Sequence, residues 1–223
     1  MHCSTGSKAM IVVAGGSSAR FGDDKMMAMI AGKPLVVHTL EAVASVVDRC
    51  VLVCRSDQIE ALGRLALDAD LVPGGSTRTT SEMAGLAALG GRADLIGIHD
   101  GARPLVPVRL IETLFEVAAR TGGAVPVLDP DAPVISRKTL RLVDGVGVVQ
   151  TPQVFAGGAL TAAYVQAAQA DYEGQDTADV VMSFSDIEIV AVAGDPGNVK
   201  VTYPGDVEAV RSRIEARSHI GPA

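Results

Sequence analysis

The sequence predicts an α/β protein built on one doubly wound, mostly parallel sheet. Three observations predict it: short apolar runs typical of buried strands, intervening segments whose apolar residues recur at helical spacing, and turn residues at the junctions. Continuous apolar strands that alternate with helices form parallel sheets covered on both faces. With 223 residues, 48% of them hydrophobic, the chain can bury such a core as one domain, residues 1–223.

The first strand is predicted at residues 10–14, where an apolar run ends in Gly15-Gly16. The later strands are apolar runs of similar length, predicted at residues 49–54, 70–72, 94–99, 124–128 and 187–192. In a doubly wound sheet the carboxyl ends of the strands form the edge at which ligands bind. We therefore look for functional residues in the loops that follow the strands.

The helices are predicted from apolar residues spaced three and four positions apart. In the first, residues 36–47 carry such a stripe, and Pro34 suits a first turn, which needs no backbone donor. The helix at 108–120 has a similar stripe and ends at Gly122-Gly123. The other helices are predicted at residues 57–67, 79–89, 158–170 and 205–216.

One stretch, at about residues 129–150, interrupts the alternation. It contains Pro130, Pro133 and an Asp144-Gly145 pair between two β-favouring runs, and Asp-Gly is a strong hairpin signal. A two-stranded hairpin inserted in an α/β domain cannot bury both of its faces alone. We therefore expect this arm to pack on a second copy of the chain.

Composition excludes several classes of function. A net charge of −7 argues against broad nucleic-acid binding, which needs a basic face. No apolar run approaches the length of a membrane helix, and the first residues lack a signal-peptide apolar region. A cytoplasmic location without a nucleic-acid or membrane partner is expected. The three cysteines, Cys3, Cys50 and Cys54, predict neither a disulfide nor a zinc site.

The segment AMIVVAGGSSARFGDDK, residues 9–25, is the most informative in the chain. Glycines after a first strand let backbone amides approach an anion closely, and Arg20 and Lys25 follow them. A glycine pair alone most often only makes a tight turn, but the preceding strand and the following cations favour a phosphate site. The spacing fits neither a P-loop nor a dinucleotide-binding turn, and Arg55 stands where a dinucleotide enzyme would place a carboxylate.

Four more loops follow predicted strands with polar residues: GGSTRTTS (74–81), HDGARP (99–104), QTPQ (150–153) and NVKVT (198–202). The first is equally well explained as a helix N-cap. Asp100 could hold a metal, orient a hydroxyl, or simply pair with Arg103. Lys200 at a strand end is unfavourable unless it meets an anion.

These five segments, in this order, resemble the 2-C-methyl-D-erythritol 4-phosphate cytidylyltransferase family of the non-mevalonate isoprenoid pathway over nearly the whole chain. The resemblance implies a Rossmann-like nucleotidyltransferase that transfers CMP from CTP to a polyol phosphate and releases pyrophosphate. It also implies Mg²⁺ or another divalent cation, and a homodimer whose hairpin arms swap between subunits.

The resemblance also implies roles for single residues. The catalytic cations are Arg20, Lys25 and Lys200. The nucleotide contacts are Ala14, Gly15, Gly16, Gly74, Ser81 and Asp100. The acceptor contacts are Asp100, Arg103 and an arm arginine, either Arg137 or Arg141, and the metal ligand is open, with Asp100 a candidate.

The sequence departs from the family pattern at Ser18, at Asp24-Lys25-Met26 and in the arm at residues 131–134, where the family threonine is missing. The arm difference keeps an alternative open, a cytidylyltransferase for ribitol 5-phosphate or another polyol phosphate. A nucleotide-binding paralogue without turnover is disfavoured because five charged residues of the family pattern are retained: Arg20, Lys25, Asp100, Arg103 and Lys200. A nicotinamide-dependent oxidoreductase is disfavoured by the glycine spacing and Arg55.

Overall fold

Seven α-helices and ten strands alternate in the part of the chain that the structure describes. The computed structural model describes residues 6–16, 21–22 and 24–220, the last four as backbone only. The strands are β1 (Lys8–Val13), β2 (Met29–Ile30), β3 (Lys33–Pro34), β4 (Arg49–Cys54), β5 (Asp70–Pro73), β6 (Leu95–Asp100), β7 (Gly122–Leu128), β8 (Val148–Val149), β9 (Gln153–Ala156) and β10 (Glu188–Ala193). The helices are α1 (Leu35–Ala44), α2 (Ile59–Gly63), α3 (Arg78–Leu89), α4 (Val108–Thr121), α5 (Gly157–Gln169), α6 (Thr177–Phe184) and α7 (Pro204–Ile220).

Eight strands form one sheet in the order β10-β7-β9-β6-β1-β4-β5, and β8 pairs with β7 outside this path. The β10–β7, β6–β1, β1–β4 and β4–β5 pairs are parallel. β9 runs antiparallel to both β6 and β7, and β8 runs antiparallel to β7. The predicted mostly parallel α/β sheet is confirmed.

Helices cover both faces of the sheet because successive strand residues point to opposite sides. Met10 and Val12 pack with α1, α2, α4 and α7, whereas Ala9 and Ile11 pack with α3, α5 and α6. Helix α3 lies close to the sheet at Gly85, where an added Cβ would come within 2.5 Å of the Ile11 Cγ2 atom. A residue without a side chain at this position therefore lets α3 pack closely on β1 and β4.

The six predicted strands and six predicted helices are all present, mostly within two or three residues of the predicted bounds. The helix predicted at 57–67 is the exception: it is a 3₁₀ turn followed by α2, and it ends at Gly63. The chain then takes a left-handed conformation at Ala66, which an α-helix cannot include.

Outside the arm, which includes β8, and the small β2–β3 sheet, two described elements were not predicted, strand β9 and helix α6. β9 has four residues and follows Pro152, so its apolar run is too short to be distinguished. The sequence does contain an N-cap residue for α6, Asp176. Its side chain accepts a hydrogen bond from the Asp179 amide.

The arm forms a hairpin, but its turn was predicted at the wrong place. Ile135 pairs antiparallel with Leu142, and the chain reverses between them at residues 137–140. The predicted Asp144-Gly145 turn lies beyond the hairpin, where the chain returns to β8. Gly145 has a φ of 69°, so the left-handed conformation that the pair favours is used for this return bend.

Candidate active site

A cavity of about 530 Å³ opens at the carboxyl ends of β1, β4, β5 and β6, the edge at which the sequence predicted ligand binding. Its wall contains Gly15 and Gly16 after β1, Arg55 and Ser56 after β4, and residues 74–77 after β5. Lys25, Arg78, Ser81, Asp100 and Lys200 also line it. Segments far apart in the sequence therefore meet because their strands are parallel neighbours.

Asp100, the last residue of β6, is a carboxylate held by three cations. Lys200 Nζ lies 2.8 Å from Oδ2, Arg78 Nη1 lies 3.0 Å from Oδ1, and Arg103 Nε lies 3.4 Å from Oδ2. Burial alone would raise the pKa of Asp100, but Arg78, Lys200 and Arg103 outweigh it and hold that pKa well below its usual range. The anionic partner predicted for Lys200 is therefore, within this chain, the Asp100 carboxylate.

A buried polar frame positions the Asp100 backbone. The Thr151 hydroxyl accepts a hydrogen bond from the Asp100 amide at 3.0 Å and lies 3.0 Å from His99 Nδ1. His99 Nε2 lies 3.2 Å from the Arg103 carbonyl oxygen, which can only accept, so Nε2 carries the proton and Nδ1 accepts from Thr151. Because His99 is fully buried, its pKa is lowered to about 4, and the ring is neutral near pH 7.

The same frame extends to the loop that carries Lys200. Gln150 donates to the carbonyls of Asp195 and Asn198, and Asn198 donates to the Thr151 carbonyl at 2.8 Å. Arg103 donates to the Asn198 carbonyl at 2.7 Å. The QTPQ segment therefore holds the Asp100 and Lys200 loops in fixed relation, and we assign it a structural role.

The N-terminus of α3 forms another wall of the cavity. Thr77 caps the helix by accepting a hydrogen bond from the Thr80 amide. Ser81 donates to the Thr77 carbonyl at 2.7 Å and accepts from the Gly75 amide at 3.1 Å. The segment is thus a helix N-cap and also part of the cavity wall, and a helix N-terminus favours a bound anion.

Lys25 lies at the start of a 3₁₀ turn that Asp24 caps. The Asp24 carboxylate accepts a 2.6 Å hydrogen bond from Gln58 and lies 3.6 Å from Arg55. Lys25 Nζ donates to the Val201 carbonyl at 3.3 Å, next to Lys200. The two predicted catalytic lysines are therefore brought to the same side of the cavity.

The other predicted residues are distributed as follows. Ala14 is buried, and its amide donates to the Val53 carbonyl at 2.7 Å, so it supports the wall from behind. Arg103 lies behind Asp100, with only 11% of its side chain exposed. Arg137 and Arg141 are exposed on the arm and do not line the cavity within one chain. Arg20 lies outside the described residues.

Arg78 was not singled out from the sequence. It is the first residue of α3 and links Asp100 to Glu82, to which its Nε atom donates at 2.7 Å. The available signal was a lone cation inside GGSTRTTS, directly after the capping threonine. Among the described residues that line the cavity, Lys25, Arg55, Arg78 and Lys200 are cationic and Asp100 is the one carboxylate, so the site is locally positive in an acidic protein.

Comparisons with known proteins identify the family. A sequence model of the IspD family, described as 2-C-methyl-D-erythritol 4-phosphate cytidylyltransferase, matches residues 8–215. This chain belongs to the IspD family. The resemblance stated from the five motifs is confirmed.

Individual IspD relatives agree over most of the chain. The 2-C-methyl-D-erythritol 4-phosphate cytidylyltransferase of Cereibacter sphaeroides is 38% identical over 213 residues, 89% of this chain and 92% of that protein. The solved enzyme of that name from Thermus thermophilus superposes with a TM-score of 0.78 at 27% identity, covering 94% of this chain and 98% of that chain. The bifunctional IspD/IspF enzyme of Granulibacter bethesdensis is 36% identical over 212 residues, 91% of this chain, which spans about half (55%) of that enzyme.

IspD enzymes are nucleotidyltransferases, a class that generally uses divalent cations. Within residues 6–16, 21–22 and 24–220, no three His, Cys, Asp or Glu side chains are grouped to hold a metal ion. Asp100 is the one carboxylate that these residues present to the cavity, and three cations already contact it. In the same part of this IspD chain, none of the helices has the length and apolar character needed to cross a membrane.

Proposed function

We propose that this protein transfers CMP from CTP to 2-C-methyl-D-erythritol 4-phosphate and releases pyrophosphate. The observation that carries the proposal is the convergence of the family's motif residues on one cationic cavity at the end of a parallel sheet. The comparisons do not favour the ribitol 5-phosphate alternative, since the relatives from Cereibacter sphaeroides and Thermus thermophilus both carry the methylerythritol name.

The chemistry requires little from the protein besides positioning and charge. The nucleophile is a phosphate monoester, whose second pKa is about 6, so it is mostly dianionic near neutral pH and needs no general base. The barrier lies in bringing two polyanions together and in stabilising charge around the α-phosphorus. Oriented cations and backbone donors supply that stabilisation.

We propose two of the described lysines for this task. Lys25 and Lys200 approach the cavity from the same side, and Arg20 is the third cation of the proposed catalytic set. In the free protein Asp100 holds Lys200 through a 2.8 Å contact. A bound triphosphate would offer Lys200 a second anionic partner at the same wall.

The cytosine and ribose are proposed to lie against the small residues Gly15, Gly74 and Ser81. An added Cβ at Gly74 would lie 3.1 Å from Ser81 Oγ and 3.3 Å from Val53 Cγ1, so this wall has no room for a larger side chain. We propose that the pocket bounded by these small residues takes a pyrimidine in preference to a purine.

A divalent cation fits this cavity best when it arrives on the oxygens of the triphosphate, since Asp100 is the one carboxylate in its described lining. Bound there, the metal would neutralise phosphate charge. Asp100 is the residue that could contact it from the protein side.

The test is a pyrophosphate-release assay with CTP, Mg²⁺ and a panel of polyol phosphates that includes methylerythritol 4-phosphate and ribitol 5-phosphate. We expect turnover with methylerythritol 4-phosphate. In thermal-shift titrations, CTP should raise the melting temperature of the protein more than ATP does. Preferential turnover of ribitol 5-phosphate would show that this compound, and not methylerythritol 4-phosphate, is the acceptor. Equal shifts in melting temperature with CTP and ATP would contradict the assignment as a cytidylyltransferase.

The arm is proposed to dock on a second subunit and to complete its acceptor site with Arg137 or Arg141. It carries exposed apolar side chains, with Leu142 67% and Ile135 50% exposed in the single chain. Such a surface on a two-stranded hairpin is stable when another protein surface covers it. A twofold-symmetric pair of swapped arms provides that cover.

Light scattering should therefore report a dimer, and Leu142→Lys should shift the protein towards monomer with a loss of kcat/KM for the acceptor. The matched control is Val165→Lys, the same change at a residue on α5 that is 50% exposed, and it should remain dimeric and active. A wild-type protein that is monomeric and fully active would disprove the swapped arm.

A further inference from the structure

Glu82 is a carboxylate buried beneath the cavity and outside its lining. It lies one turn after Arg78 on α3, and only 1% of its side chain is exposed. Its Oε1 atom accepts hydrogen bonds from Arg78 Nε at 2.7 Å and from Thr177 Oγ1 at 3.2 Å. Its Oε2 atom accepts one from the Tyr164 hydroxyl. The carboxylate therefore joins α5 and α6 to the first residue of α3.

The stability of the fold does not by itself explain a buried carboxylate at this position. Glu82 lies on the helix whose Leu86 and Leu89 pack into an apolar cluster. Burial raises the pKa of Glu82 above its usual value, although its contact with Arg78 acts in the opposite direction. Apolar residues of similar volume often replace buried ion pairs without loss of stability. The ion pair between Glu82 and Arg78 is therefore expected to have a role other than stabilising the fold.

That role follows from the geometry of Arg78. Its guanidinium is planar, so the Nε contact with Glu82 fixes the plane in which Nη1 reaches Asp100 Oδ1 at 3.0 Å. The third nitrogen, Nη2, is buried without a partner among the described residues, so the two carboxylates alone orient this side chain. The other oxygen of Asp100 contacts Lys200.

We infer that Glu82 is a positioning residue for the CMP transfer: it holds Arg78 to one oxygen of Asp100 and leaves the other oxygen for Lys200. Without the Glu82 charge, Arg78 can turn both Nη atoms towards Asp100 and compete with Lys200. The inference rests on the proposed function for its catalytic consequence, whereas the contact between Asp100 and Lys200 can be measured without turnover.

Glu82→Gln is the decisive variant because glutamine has nearly the same shape but lacks the charge that holds the Arg78 guanidinium away from the second oxygen of Asp100. We expect kcat to fall about tenfold or more, with CTP affinity within about threefold of wild type. We also expect acetylation of Lys200 by a limiting amine-reactive reagent, followed by mass spectrometry, to become at least about threefold faster, with Lys33 as the internal reference. Tyr164→Phe removes one donor to the same carboxylate but leaves its contact with Arg78 in place, so it should leave both measurements near wild type.

The proposal requires both changes in Glu82→Gln. An unchanged Lys200 acetylation rate or an unchanged kcat overturns it, as does a Tyr164→Phe variant that matches Glu82→Gln. If Glu82→Gln does not fold, Arg78→Lys is the second variant. Its ammonium cannot bridge two carboxylates and can reach either oxygen of Asp100, so it also competes with Lys200 and must produce the same pair of changes. A wild-type protein that transfers CMP to no acceptor would disprove the proposed function, and the acetylation rates would still test the link from Glu82 to Lys200.

Discussion

Replacing Lys25 or Lys200 by alanine is expected to reduce kcat by about a hundredfold to a thousandfold, while CTP binding weakens much less. Loss of one preorganised donor to the developing charge typically costs ~3–4 kcal/mol in the transition state. Both lysines line the cavity, and the glycine-rich wall, Arg78 and a triphosphate-bound metal remain to hold the ground state. Steady-state kinetics and CTP titrations on the same preparations separate the two effects.

The matched control is Lys33→Ala, which removes a lysine whose partner is Glu41 on the surface, and kcat should stay at the wild-type value. Both site variants should also remain folded, because Lys200 is partly exposed and Arg78 and Arg103 still contact Asp100 after it is removed. Near-wild-type turnover in both Lys25→Ala and Lys200→Ala would show that the proposed mechanism is wrong.

Acidification is expected to destabilise the protein through His99. Its pKa is about 4 in the folded state and 6.5 in the unfolded chain, so the unfolded state binds the extra proton between these values. The stabilisation is complete above pH 6.5 and is lost as the pH falls towards 4. At about 1.4 kcal/mol per pKa unit, the free energy of unfolding should drop by about 3 kcal/mol across this window.

Urea unfolding at pH 7 and pH 4.5 measures this drop, and His99→Gln should remove most of it. The variant will be less stable at pH 7 because the Thr151 hydroxyl loses its acceptor. Asp100 does not confound the comparison: its pKa is lowered on folding, so its contribution is lost only below the ordinary carboxylate range. His38→Gln is the control histidine variant, and a pH-dependent loss equal to wild type in His99→Gln would refute the assignment.

Most of the fold could be predicted because it depends on local patterns. The apolar runs and helical stripes place six strands and six helices, and the carboxyl ends of parallel strands necessarily meet at one edge. The cavity at that edge and the family followed from the same segments. The turn of the arm was predicted wrongly because Asp-Gly specifies a left-handed bend without specifying which two segments pair across it.

The sequence by itself determined the order of most strands and helices along the chain, the glycine-rich and cationic loops at the strand ends, and the family to which they belong. Only the tertiary structure decided which charges pair: that Lys200 contacts Asp100, and that Arg78 bridges Asp100 to Glu82, which the Tyr164 hydroxyl also contacts. The reason is physical. Periodicity and turn chemistry act over a few residues, whereas the partner of a buried charge is whichever group the packing of distant elements brings within hydrogen-bond distance.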